Sequence, residues 1–127
     1  MKRRLYPFLR LAHRVYIAWL VLKGHRWESA AVAVWHNGKV LKVRHSYRRG
    51  WYLPGGAVRR GEDPRLAACR ELHEEVGLQL QPGDLTLVRD KRSRRRRYHL
   101  YECRLDERPQ IDTNSWEIVE ARFVSHL

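Results

Sequence analysis

The segment from residue 63 to residue 77 constrains the fold most, because it carries residues that favour both the start and the end of a short helix. Asp63 is a good N-cap, Pro64 stands where proline is tolerated at the first helical position, and Gly77 can adopt the left-handed conformation that ends a helix. At about 100° per residue, four apolar side chains fall on one side. We therefore predict a helix over residues 64–76 whose buried face is formed by Ala68, Cys69, Leu72 and Val76.

Beside this apolar face the same helix carries Glu71, Glu74 and Glu75. Carboxylates spaced by three and four residues repel one another and cost an isolated helix a few tenths of a kcal/mol per pair. Salt bridging could compensate, because Arg70 can pair with Glu74 or with Glu62. A divalent cation could also compensate, since hard cations such as Mg²⁺ take oxygen ligands. The helix by itself leaves both explanations open.

The other periodic segments predict one α/β unit. Apolar residues recur at helical steps over residues 5–22, where we expect a buried stripe of Leu5, Phe8, Leu9, Ala12, Tyr16, Trp19 and Leu20. The pair Asn37-Gly38 favours a hairpin between strands at residues 29–35 and 40–44. A short strand then runs into a turn at Gly55-Gly56, and further strands are expected at residues 85–89, 98–104 and 118–124. A chain of 127 residues is long enough for one core and too short for two ordinary domains.

The N-terminal segment looks only superficially like a signal peptide. Its unbroken apolar run, residues 15–22, is eight residues long, whereas a membrane span needs about 20. The two cysteines, Cys69 and Cys103, suggest neither a disulfide framework nor a zinc site, and we expect a cytoplasmic protein. Three roles remain open for the basic first helix: docking on the sheet, joining two subunits of a homodimer, or lying on an anionic membrane.

A 23-residue block around the carboxylate helix resembles the Nudix box at every defining position. Five residues separate Gly56 from Glu62, and seven more precede the run Arg70-Glu71-Leu72-His73-Glu74-Glu75-Val76-Gly77-Leu78. The resemblance extends to the strand at residues 40–44 and to Trp51-Tyr52-Leu53-Pro54 before the box. It implies an α/β/α sandwich with a mixed β-sheet over residues 27–127, preceded by a helical extension over residues 1–26.

The resemblance also implies an activity. Nudix hydrolases use Mg²⁺ or Mn²⁺ to cut a phosphoanhydride bond in a nucleoside diphosphate linked to another moiety. Carried over by position, the metal ligands are Glu71 and Glu75, with Glu74 beside them and the Gly55 carbonyl contributing from the turn.

Around these ligands, Arg70 and Glu62 are expected to orient the carboxylates. Gly55 and Gly56 are expected to let the backbone approach metal and phosphate, which places Gly56 among the substrate-binding residues. The alternative is a catalytically silent Nudix scaffold that binds nucleotide or RNA as a regulator.

The general base is not fixed by the box. It is either Glu71 or a glutamate outside the box, where Glu117 and Glu120 resemble the family's late acidic segment. Both of these glutamates could equally be solvated residues at the edge of a strand.

Substrate contacts lie outside the box. The formal charge of +12 favours polyanionic partners. We expect Arg44 to contact a substrate phosphate and Trp51, Tyr52 or Trp116 to stack on a base, although aromatic residues near a glycine turn commonly serve packing.

The basic run at residues 91–97 is expected to form a loop. It could be a solubilising tip, or it could capture an RNA 5′ end or another polyanion. Sequence-specific RNA reading is not supported, because the run has no interleaved aromatics. Its cations are Lys91, Arg92, Arg94, Arg95, Arg96 and Arg97.

Overall fold

A computed structural model describes residues 2–22, 27–113 and 117–125 of the chain. Two α-helices are α1 (Lys2–Leu22) and α2 (Pro64–Val76). A short 3₁₀ turn at Pro82–Asp84 follows α2. The strands are β1 (Trp27–His36), β2 (Lys39–His45), β3 (Trp51–Tyr52), β4 (Gly55–Ala57), β5 (Thr86–Arg92), β6 (Arg96–Arg104) and β7 (Ile118–Val124).

All these strands form one sheet with β1 near its centre. The order along its main path is β3-β2-β1-β6-β5, and β4 pairs with β1 while β7 pairs with β2. The β1–β6 pairing is parallel and the others are antiparallel, so the sheet is mixed. This arrangement confirms the predicted mixed α/β fold.

The predicted hairpin at Asn37-Gly38 is confirmed. Both residues have positive φ angles, 53° and 73°, as a tight primed turn requires. The turn sets the register in which Trp35 lies opposite Val40 and His36 opposite Lys39.

The basic run differs from the predicted loop. Strand β5 continues to Arg92 and β6 begins at Arg96, which leaves residues 93–95 to form the turn. The Ser93 amide donates to the Arg96 carbonyl at 2.8 Å and closes this turn. Strand β5 is exposed along its whole length, so its pairing does not depend on an apolar face, and apolar periodicity could not locate its end.

One face of the sheet is covered by α2, which packs on β1 and β4. Ala67 and Ala68 have no exposed surface, and their small side chains allow the helix to approach the strands closely. Complete burial of Leu72 contributes roughly 1.5–3 kcal/mol. The same core takes in Val32, Val34, Leu41, Val43, Val76, Leu85, Tyr101, Cys103 and Ile118.

Helix α1 is present as predicted, but its expected buried stripe is not. Phe8 is 66% exposed and Tyr16 is 56% exposed, while Leu11 and Val15 are equally open to solvent. The ring of His13 lies 4.5 Å from that of Tyr47, which brings the middle of the helix against the domain. The side chains of Leu5, Trp19 and Leu20 lie outside the described residues. No helix in the described ranges is both long and apolar enough to cross a membrane.

Candidate active site

The carboxylate helix α2 has the predicted ends. The Asp63 side chain accepts a hydrogen bond from the Arg65 amide at 2.8 Å, and Pro64 begins the helix. Gly77 ends it with φ of 72°, and its amide donates to the His73 carbonyl. These caps fix the two ends of the helix, and its packing on β1 and β4 decides which glutamates point inward.

The buried face of α2 is wider than predicted. Ala67, Ala68, Leu72 and Val76 are buried, whereas Cys69 is only partly buried. Glu75 is also on this face, with 1% of its surface exposed. The sequence placed Glu75 beside the apolar face together with Glu74, but the structure separates them, because Glu74 keeps half of its side chain in solvent.

Glu75 is a buried carboxyl group, and only one of its two oxygens has a hydrogen-bond partner in the described chain. Its Oε1 atom accepts a hydrogen bond from the Gly55 amide at 3.1 Å. Its Oε2 atom is buried and has no hydrogen-bond partner among the described residues. Burial, together with the negative charges of Glu71 and Glu117, raises the pKa of Glu75 to about 8. Without a cation this group is therefore largely protonated at neutral pH.

Arg70 forms ion pairs with three glutamates of the box. Its Nε and Nη2 atoms donate to the two carboxylate oxygens of Glu62 at 3.0 Å, which is a bidentate pair. Its Nη1 atom donates to Glu71 at 2.8 Å and lies 3.5 Å from Glu74. The salt bridges that the sequence allowed are thus formed. They do not reach Glu75, so they do not offset the repulsion between the ionised forms of Glu71 and Glu75.

The charged form of the Glu71 carboxyl group is also destabilised by its surroundings. Burial is the largest cause that raises the pKa of Glu71, and the charges of Glu74 and Glu117 raise it further against the opposing effect of Arg70. The charge of Glu71 acts in turn on Glu75, and the charge of Glu117 acts on both of them.

Gly55, just before the box, and Gly56, its first residue, are required for different reasons. They form strand β4 and not the predicted turn. A Cβ atom at Gly55 would lie 2.3 Å from the Ala30 carbonyl oxygen, so this glycine lets β4 pack on β1. A Cβ atom at Gly56 would lie 2.6 Å from the carboxyl carbon of Glu71. Gly56 therefore makes room for a functional side chain.

The two late glutamates lie in different surroundings. The charge of Glu117 acts on both Glu71 and Glu75, which places it with the carboxylate group of the box. Glu120 lies opposite Arg44 in the β2–β7 pairing, 3.5 Å from its guanidinium group, and also accepts from Arg122 at 2.6 Å. Glu117 is thus the better-placed partner for the box.

Of the predicted substrate residues, Arg44 and Trp51 lie opposite each other on β2 and β3, whereas Gly56 lies on β4 against Glu71. Arg44 pairs with Glu120, and the Arg122 guanidinium lies 5.5 Å from the centre of the Trp51 ring. Tyr52 is 37% exposed and lies under the Arg48 guanidinium at 3.8 Å. Trp116 lies outside the described residues. The substrate roles of Arg44 and Trp51 stay predictions.

A buried polar residue next to Glu75 escaped the sequence analysis. His45 is 2% exposed, and its Nε2 atom lies 3.8 Å from the unpaired Oε2 atom of Glu75. Burial and the nearby Arg48 and His13 lower the pKa of His45 to about 4, so the ring is neutral at pH 7. Its Nδ1 atom accepts from Arg48 at 3.3 Å, which assigns the proton to Nε2.

A sequence signal for His45 did exist. Leu41, Val43 and His45 alternate along β2, and all three are buried. A histidine at the inward position of a strand that follows Leu41 and Val43 must lie in or beside the core.

The residues fit a divalent cation of the hard type. Carboxylate oxygens are the donors that Mg²⁺ and Mn²⁺ prefer, and the unpaired buried oxygen of Glu75 lies among them. The described residues do not gather three His, Cys, Asp or Glu side chains at ligating distances. Mg²⁺ does not require such a set, because it commonly keeps several waters and binds one or two carboxylates together with substrate phosphates.

Comparison with known proteins agrees with the resemblance found in the sequence and with the geometry of the site. The model of the NUDIX domain matches residues 25–126. An RNA pyrophosphohydrolase of Hydrogenovibrio crunogenus is 37% identical over 65 residues, which are 51% of this chain and 38% of that protein. An ADP-ribose pyrophosphatase of Mycobacterium tuberculosis is 53% identical over 55 residues, which are 39% of this chain and 27% of that protein. The chain thus spans less than half the length of these curated relatives.

The fold has solved counterparts. A bifunctional NMN adenylyltransferase/ADP ribose pyrophosphatase of Francisella tularensis, complexed with AMP and a manganese ion, superposes with a TM-score of 0.69 at 21% identity. The match covers 91% of this chain and 39% of that one. The family model matches about four fifths of this chain, and every defining position of the box is present. This chain therefore belongs to the NUDIX family.

Proposed function

We propose that this chain hydrolyses a phosphoanhydride bond in a nucleoside diphosphate linked to another group, with Mg²⁺ or Mn²⁺ as cofactor. The observation that carries the proposal is the buried, unpaired Oε2 atom of Glu75 beside Glu71 and Glu117. Isolating a carboxyl oxygen from every partner costs about 1–3 kcal/mol, which a purely structural helix would avoid. Coordination to a cation would offset that cost and the repulsion among the glutamates.

In this proposal Glu75 and Glu71 hold the cation, with Glu74 and the Gly55 carbonyl as further ligands. A bound divalent cation neutralises charge on the diphosphate and acidifies water. The manganese ion in the Francisella tularensis relative supports this choice of cofactor. Within the chain, the Gly55 amide fixes one oxygen of Glu75 and thereby aims the other oxygen.

Arg70 and Glu62 position Glu71. The bidentate pairing with Glu62 fixes the plane of the Arg70 guanidinium, which then holds Glu71 at 2.8 Å. Arg70 also donates to the Ala57 carbonyl at 3.0 Å, so the same group ties α2 to the end of β4. A positioned carboxylate loses less entropy when it binds a ligand than a freely rotating one.

For proton removal from water we assign Glu117. It is exposed to solvent, and its charge acts on Glu71 and Glu75, so it is open to water and close to the proposed cation ligands. Glu120 is engaged by two arginines, and Glu71 is engaged by Arg70. Each of these is less free to accept a proton.

A second function is supported by one observation. Glu71, a proposed cation ligand, is already paired with Arg70 at 2.8 Å, as expected if the scaffold only binds nucleotide or RNA. One experiment separates the two functions. Purified protein is incubated with a panel of nucleoside diphosphate derivatives, Mg²⁺ or Mn²⁺, and released phosphate and nucleotide are measured. Turnover of any member supports hydrolysis, whereas binding without turnover across the panel supports the regulator.

A further inference from the structure

A basic cavity of about 650 Å³ lies beside the box, within the size range of ligand-binding pockets. We call it the arginine groove. Three parts of the chain line it: the start of β1, residues 58–60 after β4, and residues 92–97 of the β5–β6 hairpin. Seven of the lining residues are arginines, namely Arg59, Arg60, Arg92, Arg94, Arg95, Arg96 and Arg97.

The charges of the arginine groove are largely uncompensated. In the described ranges Arg97 pairs with Asp90 at 3.3 Å, and no ion pair is formed by the other six arginines. The single acidic lining residue, Glu28, is engaged by His99 at 2.7 Å. Guanidinium groups gathered within about a Debye length repel one another, and a bound polyanion relieves that repulsion. The groove is therefore suited to a row of phosphates.

The sheet also brings an aromatic residue to these arginines. Trp27 lies opposite Arg96 in the parallel β1–β6 pairing, and its amide donates to the Arg95 carbonyl at 2.7 Å. Its side chain lines the groove. Tyr98 lines an adjoining cavity of about 370 Å³ that shares Arg92 and Arg96 with the groove. Aromatic rings among phosphate-binding cations are the combination with which proteins bind single-stranded nucleic acid.

The arginine groove is continuous with the proposed active site along the chain. Gly56 lies against Glu71, and Arg59 follows three residues later. Three residues span at most about 10 Å, so the groove begins within roughly that distance of the carboxylates. A nucleic-acid strand bound in the groove can therefore place its end near the carboxylates of the box.

We propose that the arginine groove binds the phosphate backbone of a single-stranded oligonucleotide, with a base stacked on Trp27, and that the substrate diphosphate is the 5′ end of that strand. The first part rests on the groove alone. The second part rests on the function proposed above. Mononucleotides would fill the box and leave the groove empty, so an oligonucleotide should be the better ligand.

Binding is tested with a 12-residue single-stranded oligonucleotide that carries a 5′ hydroxyl and a 3′ fluorophore, measured by fluorescence anisotropy. This probe contains no phosphoanhydride bond, so its binding is independent of hydrolysis. The triple substitution R60S/R94S/R96S should weaken binding about tenfold or more at low salt. It should also reduce the slope of log K against log salt by about 2, as expected for three lost phosphate contacts at about 0.7 each.

The matched control is R89S/R104S/R108S. It removes the same charge from exposed arginines that do not line the groove, and it should weaken binding far less. Trp27→Leu should weaken binding about fivefold or more through lost stacking. If this variant melts below the assay temperature, the wild-type protein is crosslinked to a 4-thiouridine oligonucleotide, and Trp27 should lie in the crosslinked peptide.

Equal loss in the two triple variants would overturn the proposal, since binding would then follow net charge. Absence of any effect of Trp27→Leu in a folded protein, or crosslinks confined to other segments, would overturn the stacking assignment. Hydrolysis is read separately, by comparing KM for a 5′-triphosphorylated oligonucleotide with KM for a nucleoside triphosphate in wild-type protein. Oligonucleotide binding without hydrolysis of these compounds or of any member of the nucleotide panel would refute the proposed function and leave the groove assignment standing.

Discussion

Gly55 and Glu75, twenty residues apart in the chain, are joined by a hydrogen bond of 3.1 Å from the glycine amide to one carboxyl oxygen. This bond crosses from strand β4 to helix α2 and leaves the other oxygen of Glu75 buried without a partner in the described chain. Because the charges of Glu71 and Glu117 also act on this carboxyl group, we expect a cation to bind at the unpaired oxygen.

Replacement of Glu75 by glutamine should abolish most hydrolysis and leave the fold intact. Burial already raises the pKa of Glu75 to about 8, so the metal-free protein tolerates a neutral side chain there. The cation-bound state needs the charge, and turnover should fall by orders of magnitude. Initial rates and circular dichroism measure both effects, with the exposed Glu107→Gln as control. More than about a tenth of wild-type activity at unchanged metal affinity would show that Glu75 is not a ligand.

Millimolar Mg²⁺ or Mn²⁺ should raise the melting temperature. A ligand that binds only the native state stabilises it by about 2.7 kcal/mol at a hundredfold excess over Kd. The increase should be smaller in Glu71→Gln, which removes a proposed ligand. Differential scanning fluorimetry with and without metal gives the shift, and a wild-type melting temperature indifferent to both metals would favour salt bridging as the sole compensation.

The two glycine-to-alanine variants should fail in different ways. Gly55→Ala forces a methyl group against the backbone of β1 and should destabilise the fold by about 1–3 kcal/mol. The added methyl group of Gly56→Ala lies nearest to the end of the Glu71 side chain, which can rotate away. This variant should nearly preserve stability but weaken metal binding. Denaturant unfolding and metal titration together distinguish the variants, and equal destabilisation would contradict the separate roles.

Glu62→Gln should lower stability at neutral pH by an amount that disappears in acid. The hydrogen bonds from Arg70 lower the pKa of Glu62 to about 2 from 4.5. The ionised pair therefore stabilises the native state fully above pH 4.5, and the contribution is lost as the pH falls towards 2. Urea unfolding of both proteins from pH 7 downwards should show a constant gap that narrows below about pH 4.5. A gap that stays constant through acid would mean that Glu62 keeps an ordinary pKa.

Glu117→Gln should reduce kcat by about 10²-fold or more, the usual loss when a general base is removed. Glu120→Gln should change kcat little, because Glu120 is engaged by Arg44 and Arg122. Initial rates of both variants at saturating substrate measure this difference in kcat. The reverse pattern would assign the base to Glu120.

The sequence was sufficient for local features. Asp63, Pro64 and Gly77 predicted both ends of α2, and Asn37-Gly38 predicted the hairpin, because caps and tight turns depend on the φ angles and hydrogen bonds of neighbouring residues. It was less reliable where long-range packing decides. Phe8 and Tyr16 follow a helical period, yet α1 leaves them exposed.

The box spacing by itself predicted the family, the carboxylate helix and the candidate cation ligands Glu71, Glu74 and Glu75, since all of these lie within 23 consecutive residues. Tertiary structure decided the rest. It buried Glu75 while Glu74 stayed exposed, set His45 beside Glu75, and separated Glu117 from Glu120. It also brought Trp27 to the arginines through a parallel strand pairing between residues about seventy positions apart. Such pairings depend on the register of strands distant in sequence, which periodicity along one segment does not encode.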